Sequence, residues 1–182
     1  LTAGSNNNRI GGTAAGQGNV ISGNAFEGIN INDSTGNTVL GNFIGPDLTG
    51  TAALPNGTAG VYLVTGAVGG NTIGGSAPGS RNVISGNASY GVWMNSSSNN
   101  FVYGNYIGTD ATGAAAMANR VDGVLINNGS SGNAIGGSNP GEGNVISGNR
   151  QNGVHIANAI TSSNRVEQNL IGLNAAGNAT LG

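Results

Sequence analysis

The chain has 182 residues, of which 37% are hydrophobic, 4% aromatic and 7% charged, and 36 are glycines. A typical soluble domain is about one quarter charged and about 7% glycine, so this composition differs from that of an ordinary globular domain. Disordered chains usually combine low hydrophobicity with high net charge, whereas the net charge here is −2. The composition therefore favours a packed structure made from small and amide side chains.

Charge and cysteine content argue against several classes of partner. All five basic residues are arginines, too few to neutralise a run of phosphates, so nucleic acids and anionic membranes are poor partners. Cysteine is absent, which leaves no disulfide and no thiolate metal site. The sequence contains no apolar stretch of membrane-spanning length and no leader peptide, and it opens on Leu1. We therefore expect a piece of a longer precursor.

Internal repeats organise the whole chain. The motif Asn-Val-Ile-Ser-Gly-Asn occurs at 19–24, 82–87 and 144–149, each time after an Ile-Gly-Gly segment. A second motif, Gly-[Val/Ile]-x-[Ile/Leu/Met], recurs about every 31 residues, beginning at Gly28, Gly60, Gly91, Gly123 and Gly153. A fixed period of this length is typical of a solenoid.

Asparagine occupies equivalent positions in successive repeats. One asparagine stands four residues before each glycine of the second motif, giving the column Asn24, Asn56, Asn87, Asn119 and Asn149. Another column comprises Asn8, Asn37, Asn71, Asn100, Asn133 and Asn164. A side-chain amide has both donors and an acceptor, so stacked asparagines are able to bond to one another along the solenoid. We interpret these columns as structural ladders.

Each repeat holds three short runs of alternating apolar and small residues, separated by Gly, Asn and Ser, which is typical of three strands and three turns. Stacking the same run in every repeat creates parallel sheets. The sequence predicts an all-β fold, a right-handed single-stranded parallel β-helix of about six coils with uncapped ends, as one domain over residues 1–182. The right-handed sense follows from the general preference of parallel crossovers.

The repeats also predict which side chains face inward. One predicted column comprises Ile10, Val39, Ile73, Val102, Ile135 and Val166. A second comprises Ile21, Ile84 and Ile146, alternating with Ala53 and Ala116. The third pairs Val61, Val92, Val124 and Val154 with Leu63, Met94, Ile126 and Ile156.

Two related segments recur in alternate coils, namely Gly-Asn-Phe-Ile-Gly-Pro-Asp-Leu-Thr-Gly ending at Gly50 and Gly-Asn-Tyr-Ile-Gly-Thr-Asp-Ala-Thr-Gly ending at Gly113. With these motifs, the whole chain resembles the secreted parallel β-helix repeat proteins of the pectate-lyase-like superfamily, in particular bacterial and archaeal surface polypeptides. The resemblance is specific for the fold. It is weak for function, because similar scaffolds serve lyases, glycosidases, adhesins and fibres.

The acidic residues have two interpretations. Asp47 and Asp110 occupy the same corner two coils apart, near the carboxylate spacing of inverting glycosidases. The favoured interpretation is structural, because an aspartate in an Asp-x-Thr-Gly turn bonds its own backbone. Arg120, Arg150 and Asp122 are expected to form a solvated charge cluster. We predict no catalytic residues, no metal ligands and no cofactor.

An outward column of the Gly-Val strands reads Asn30, Tyr62, Trp93, Leu125 and His155. Tyr62 and Trp93 are expected to lie side by side, and together with His155 they are the candidate glycan-binding or contact surface. The alternative is that they are ordinary exposed residues. His155, the single histidine, is expected to be exposed and idle. The triplets Asn56-Gly-Thr and Asn87-Ala-Ser match the glycosylation pattern but are weak evidence in an asparagine-rich chain.

The ends of the chain do not look like caps, so we expect either a trimmed repeat array or subunits that stack end to end. The leading hypothesis is a non-enzymatic, extracellular structural solenoid, part of a fibre, stalk or surface adhesin, whose partner is itself or the neighbouring repeats of the same chain. A cell-surface polysaccharide is a further candidate partner. The alternative is a polysaccharide-binding or polysaccharide-cleaving β-helix with its active loops elsewhere, and a third hypothesis is a plain spacer.

Overall fold

The computed structural model describes residues 1–65 and 69–182. The described residues form short strands of two to four residues and no helix. In chain order the strands are β1 Arg9–Gly11, β2 Val20–Ile21, β3 Ile29–Asn32, β4 Thr38–Leu40, β5 Phe43–Ile44, β6 Val61–Val64, β7 Thr72–Gly74, β8 Val83–Ile84, β9 Val92–Asn95, β10 Phe101–Tyr103, β11 Tyr106–Ile107, β12 Val124–Asn127, β13 Ala134–Ile135, β14 Val145–Ile146, β15 Val154–Ile156, β16 Arg165–Val166 and β17 Leu170–Ile171.

The strands build three parallel sheets. Sheet 1 has the order β1-β4-β7-β10-β13-β16, sheet 2 the order β2-β5-β8-β11-β14-β17, and sheet 3 the order β3-β6-β9-β12-β15. Successive strands of the chain enter successive sheets, so each turn of about 31 residues adds one strand to every sheet, giving about five turns. The predicted all-β solenoid is confirmed, and its right-handed sense stays a prediction.

The interior is a stack of aliphatic side chains. In sheet 1, Ile10 pairs with Val39 and Val39 with Ile73, as the repeats predict. In sheet 3, Val61 and Leu63 pair with Val92 and Met94, again as predicted. The central members of these columns have no exposed surface. Each coil therefore buries the apolar side chains of its neighbours, since a single short strand is unable to bury its own.

The predicted sheet 2 column is wrong in its alternate members. Ile21 pairs with Ile44, and Ile44 pairs with Ile84, so every coil contributes an isoleucine. Ala53 and Ala116 instead are exposed, in the loops that follow β5 and β11. Each alanine closes its loop through an antiparallel bridge, to Pro46 and Thr109 respectively.

Alternate coils carry a loop after the sheet 2 strand. Loop 1 (46–54), loop 2 (109–117) and loop 3 (173–181) share the same antiparallel closure. They lie against the outer face of sheet 2, where Val83, Tyr106 and Val145 form a second buried cluster. The solenoid therefore has an outer apolar layer on this one side, in addition to its interior.

The predicted ladder of Asn24, Asn56, Asn87, Asn119 and Asn149 is confirmed. In each step the Nδ2 group donates to the Oδ1 atom of the next asparagine, at 2.8–2.9 Å. Asn56 and Asn87 have no exposed surface. The two glycosylation triplets that they begin are therefore closed to modification in the folded chain.

Two further ladders run along the other corners. The predicted column from Asn8 to Asn164 is hydrogen-bonded in the same way, at 2.9–3.2 Å per step. The sequence reasoning missed the third ladder, which comprises Asn19, Asn42, Asn82, Asn105, Asn144 and Asn169. Its signal is an asparagine directly before the sheet 2 strand of every coil.

A central ladder residue uses its whole amide. The Oδ1 atom of Asn82 accepts from the backbone N–H and the Nδ2 group of Asn42, at 2.9 and 3.0 Å. Its Nδ2 group donates to Asn105 Oδ1 at 2.9 Å and to the backbone carbonyl of Val39 at 2.8 Å. These bonds satisfy a buried polar group that is costly to leave unpaired.

Candidate functional site

The outer face of sheet 3 carries the aromatic column that the sequence predicts. Tyr62 pairs with Trp93 in register, and Leu125 lies between Trp93 and His155. The ring centroids of Tyr62 and Trp93 are 4.4 Å apart, with an angle of 32° between the rings. The predicted side-by-side placement is therefore confirmed, whereas a glycan-binding role stays a prediction.

Tyr90 is a third member that the sequence reasoning missed. Its ring centroid lies 5.2 Å from that of Trp93. Tyr90 directly precedes Gly91, at a position where the other coils carry Glu27, Ala59, Asp122 and Asn152, so no repeat marked it as aromatic. We call Tyr62, Tyr90 and Trp93 the aromatic cluster.

The polar atoms of the aromatic cluster bond within the chain. Trp93 Nε1 donates to Asn127 Oδ1 at 3.1 Å, and the Tyr62 hydroxyl accepts from Asn95 Nδ2 at 2.8 Å. The short centroid separation turns the faces of the Tyr62 and Trp93 rings towards each other, at about the spacing of neighbouring strands. The pair therefore presents ring edges outward rather than one open aromatic platform.

Asp122 and His155 form a hydrogen-bonded pair beside this column. His155 Nδ1 lies 3.0 Å from Asp122 Oδ2, and the exposed fractions of the two side chains are 45% and 2%. Asn152 donates to the other carboxylate oxygen from its backbone N–H, at 3.0 Å, and from Nδ2, at 2.8 Å. The carboxylate fixes one ring nitrogen and leaves the other side of the imidazole open to solvent.

This pair corrects two predictions. Asp122 does not belong to a solvated cluster with Arg120 and Arg150, because its carboxylate is buried while both arginines are exposed. His155 is exposed as predicted but is not idle, since it is the partner of that carboxylate. No repeat marks the pair, because neither aspartate nor histidine recurs at the same position in the other coils.

Asp47 is engaged by its own loop. Its Oδ1 atom accepts from the backbone N–H groups of Thr51, at 3.0 Å, and Ala52, at 3.2 Å. The Thr49 hydroxyl donates to the same carboxylate at 2.8 Å. This hydroxyl and the backbone donors lower the pKa of Asp47 from its usual value.

Asp110 is held in the same way in loop 2. Burial alone raises the pKa of Asp110, but hydrogen bonds from the Thr112 hydroxyl and from the backbone N–H groups of Ala115 and Ala114 outweigh it and lower the pKa. Asn174 takes this place in loop 3, where its Oδ1 atom accepts from two backbone N–H groups. The favoured structural interpretation of these aspartates is supported, because an asparagine amide accepts equivalent backbone hydrogen bonds in loop 3.

The two faces at which coils stack are chemically different. In all three ladders, each asparagine except the last donates its Nδ2 group to the Oδ1 atom of the asparagine in the coil that follows. The forward face of each coil thus presents amide N–H donors and the rear face presents amide oxygens. At the forward face of the last coil, apolar side chains are also partly open to solvent, namely Ile156, Val166 and Ile171, at 44%, 40% and 46%.

No family model, curated protein or solved structure matches this chain. Among residues 1–65 and 69–182, no helix is present that could cross a bilayer. In the same residues, no group of three or more His, Asp or Glu side chains lies close enough to hold a metal ion.

Proposed function

We propose that this chain is an extracellular structural solenoid segment, part of a fibre, stalk or surface adhesin, with the architecture of the pectate-lyase-like superfamily. The observation that carries the proposal is the set of three asparagine ladders, which share one direction along the solenoid. Buried amides bonded on both sides make neighbouring coils depend on each other, which suits a stiff rod.

The polarity of the ladders supports end-to-end assembly. A face that presents N–H donors complements a face that presents carbonyl oxygens, so coils stack in one direction. A head-to-tail contact of this kind is heterologous and does not close, so it yields filaments. The partner that we propose is a second copy of the chain or the neighbouring repeats of a longer chain.

The surface chemistry supports a non-enzymatic role outside the cell. Asp47 and Asp110 are occupied by their own loops, and Asp122 is occupied by His155 and Asn152. A carboxylate pair that shares a substrate needs both groups free to reach it. The absence of cysteine and lysine and the charged fraction of 7% suit durability in an extracellular setting.

Negative-stain electron microscopy of residues 1–182 across a concentration series tests the proposal. We expect filaments one solenoid wide, whose length increases with protein concentration. Short rods of constant length at every concentration would contradict self-assembly and would favour the plain spacer.

Polysaccharide binding on the outer face of sheet 3 is the second candidate function. It is favoured by the aromatic cluster, because three neighbouring aromatic side chains offer apolar ring edges against which a sugar is able to pack. Titration of cell-surface polysaccharides into the chain, followed by Trp93 fluorescence, tests it. A spectral shift that Tyr62→Ala and Tyr90→Ala weaken supports binding, and an unchanged spectrum contradicts it.

A further inference from the structure

Loops 1, 2 and 3 stack directly on one another, although a full coil separates the strands from which they extend. The backbone N–H of Ala111 in loop 2 donates to the Gly50 carbonyl of loop 1 at 3.0 Å. Ala175 in loop 3 donates to the Gly113 carbonyl of loop 2 at 2.9 Å. The same contact therefore occurs twice, between loops of similar sequence.

Both loop junctions are packed without spare room. A Cβ atom placed on Gly50 would lie 2.5 Å from Ala111 Cβ and 3.1 Å from the Phe43 ring. A Cβ atom on Gly113 would lie 2.6 Å from Ala175 Cβ and 2.9 Å from the ring of Tyr106. Each junction thus combines a glycine, an alanine from the next loop and a large aromatic residue of sheet 2.

Loop 1 carries a larger side chain at the alanine position. Leu48 directly follows Asp47, as Ala111 follows Asp110, and 78% of its surface is exposed. It borders a groove of about 310 Å³ that Phe43 and Val20 also line. Among the described residues, no acceptor pairs with the Leu48 N–H. This residue is therefore a projecting apolar group with an unused backbone donor.

Loop 3 carries the matching recess. Gly177 occupies the position of Gly50 and Gly113, and the nearest side-chain atom to a Cβ placed there is Leu170 Cδ2, at 3.7 Å. Leu170 pairs along sheet 2 at the position that Phe43 and Tyr106 fill in the other coils. A smaller residue beside the glycine leaves space for a side chain larger than alanine.

We propose that Leu48 of one copy packs against Gly177 and Leu170 of a second copy, so that the loop stack continues across the junction between two molecules. This inference rests on the proposed end-to-end assembly and names its contact. The Leu48 N–H then donates to the Gly177 carbonyl, as in the two internal junctions. The occupant is a second copy because Leu170 is smaller than the aromatic residues of the internal junctions, and the room that it leaves beside Gly177 accepts a side chain larger than alanine, which loop 1 supplies at the equivalent position.

The order of the coils agrees with this contact. The coil of β1 and β2 has no loop after its sheet 2 strand, whereas the coil of β16 and β17 carries loop 3. When β17 of one copy lies next to β2 of the next, coils with and without the loop continue to alternate. Loop 1 then stacks on loop 3 with the same two-coil separation as inside the chain.

Volume swaps test the proposal, with filament length and the dissociation constant of the end-to-end contact as the readout. Leu48→Ala and Leu170→Tyr each break the size match, by leaving a void and by overfilling the recess, and we expect each to raise this dissociation constant about tenfold. The double variant reproduces the internal Ala175, Gly113 and Tyr106 arrangement and should restore assembly. Because each introduced residue is native at an equivalent internal position, the fold, monitored by circular dichroism, should be retained.

Leu48→Arg should abolish assembly, and Ala118→Arg is the matched control, since it adds the same charge at an exposed site of the central coils. If the wild type assembles and none of these substitutions changes its assembly, the Leu48 contact is wrong and end-to-end assembly still stands. A wild type that stays monomeric at every concentration would overturn both.

Discussion

Asp122 and His155 lie 3.0 Å apart on neighbouring coils, and the buried carboxylate depends on the exposed imidazole for one of its hydrogen bonds. The pair links the turn before β12 to β15, the last strand of sheet 3, through side chains, in addition to the backbone pairing of the two strands. A polar contact of this kind has no counterpart among the aliphatic and asparagine columns, so its energy is measurable by itself.

Removing the imidazole should destabilise the last coil. His155→Ala leaves Asp122 Oδ2 buried without this partner, and we expect a loss of about 1–3 kcal/mol. Amide hydrogen exchange at β15 measures the loss locally. Ile160→Ala, at a residue 84% exposed on the same coil, is the control and should change little. Equal exchange rates in the two variants would refute this role for His155.

Interior ladder positions should tolerate substitution far less than the exposed end. Asn82→Ala leaves the Asn42 backbone N–H, one Asn42 Nδ2 hydrogen and the Val39 carbonyl without this partner. Since each buried unpaired group costs about 1–3 kcal/mol, we expect a loss above about 3 kcal/mol. Asn24→Ala, at an exposed ladder residue, should cost less than about 1.5 kcal/mol. Urea unfolding compares the two, and equal midpoints would contradict the ladder account.

Low pH should destabilise loops 1 and 2. The pKa values of Asp47 and Asp110 are lowered in the folded chain, so their stabilisation is complete above the unfolded pKa of about 3.9 and is lost as pH falls through the lower folded value. The melting temperature of the wild type should therefore fall as the pH drops below about 4, the unfolded pKa of these carboxyls.

The Asp47→Asn, Asp110→Asn double variant tests this origin. An amide keeps the backbone acceptor, as Asn174 does in loop 3, but cannot titrate in this range. The variant should lose less of its melting temperature over the same interval. A decline as steep as that of the wild type would place the acid sensitivity elsewhere.

Alanine substitutions at two glycines distinguish the cost of steric crowding from the cost of backbone strain. Gly113 and Gly177 both have φ of +68°, so alanine carries the same strain of about 1–2 kcal/mol at either position. At Gly113 the new Cβ also meets Ala175 Cβ, which should add about 1–3 kcal/mol. Gly113→Ala should therefore have a lower melting temperature than Gly177→Ala, when both are measured at a concentration where the chain is monomeric. A Gly177→Ala variant as unstable as Gly113→Ala would contradict the packing of the loop junctions.

The period of the sequence was sufficient to predict the solenoid, two of the asparagine ladders and the columns of sheets 1 and 3. A side chain that recurs at a nearly constant interval must lie in one column when coils have nearly constant length. Asn24 to Asn149 and Ile10 to Val166 meet that condition, and their neighbours in register are those expected.

The alternate members of the sheet 2 column and the third asparagine ladder were not predicted, because alternate coils place their extra residues at different corners. Ladder steps there alternate between short and long, for example 23 residues from Asn19 to Asn42 and 40 from Asn42 to Asn82. One coil type has its insertion before the sheet 2 strand and the other has it after, so the two offsets cancel in the overall period. Aligning by the period therefore put Ala53 and Ala116 where Ile44 and Ile107 lie.

Small-angle X-ray scattering of residues 1–182 through a dilution series tests the central claim, that directional ladders make coils stack head to tail. We predict that particle length increases with concentration while the cross-sectional radius stays that of one solenoid. A length that does not change, or a cross-section that grows through side-by-side association, would contradict the claim.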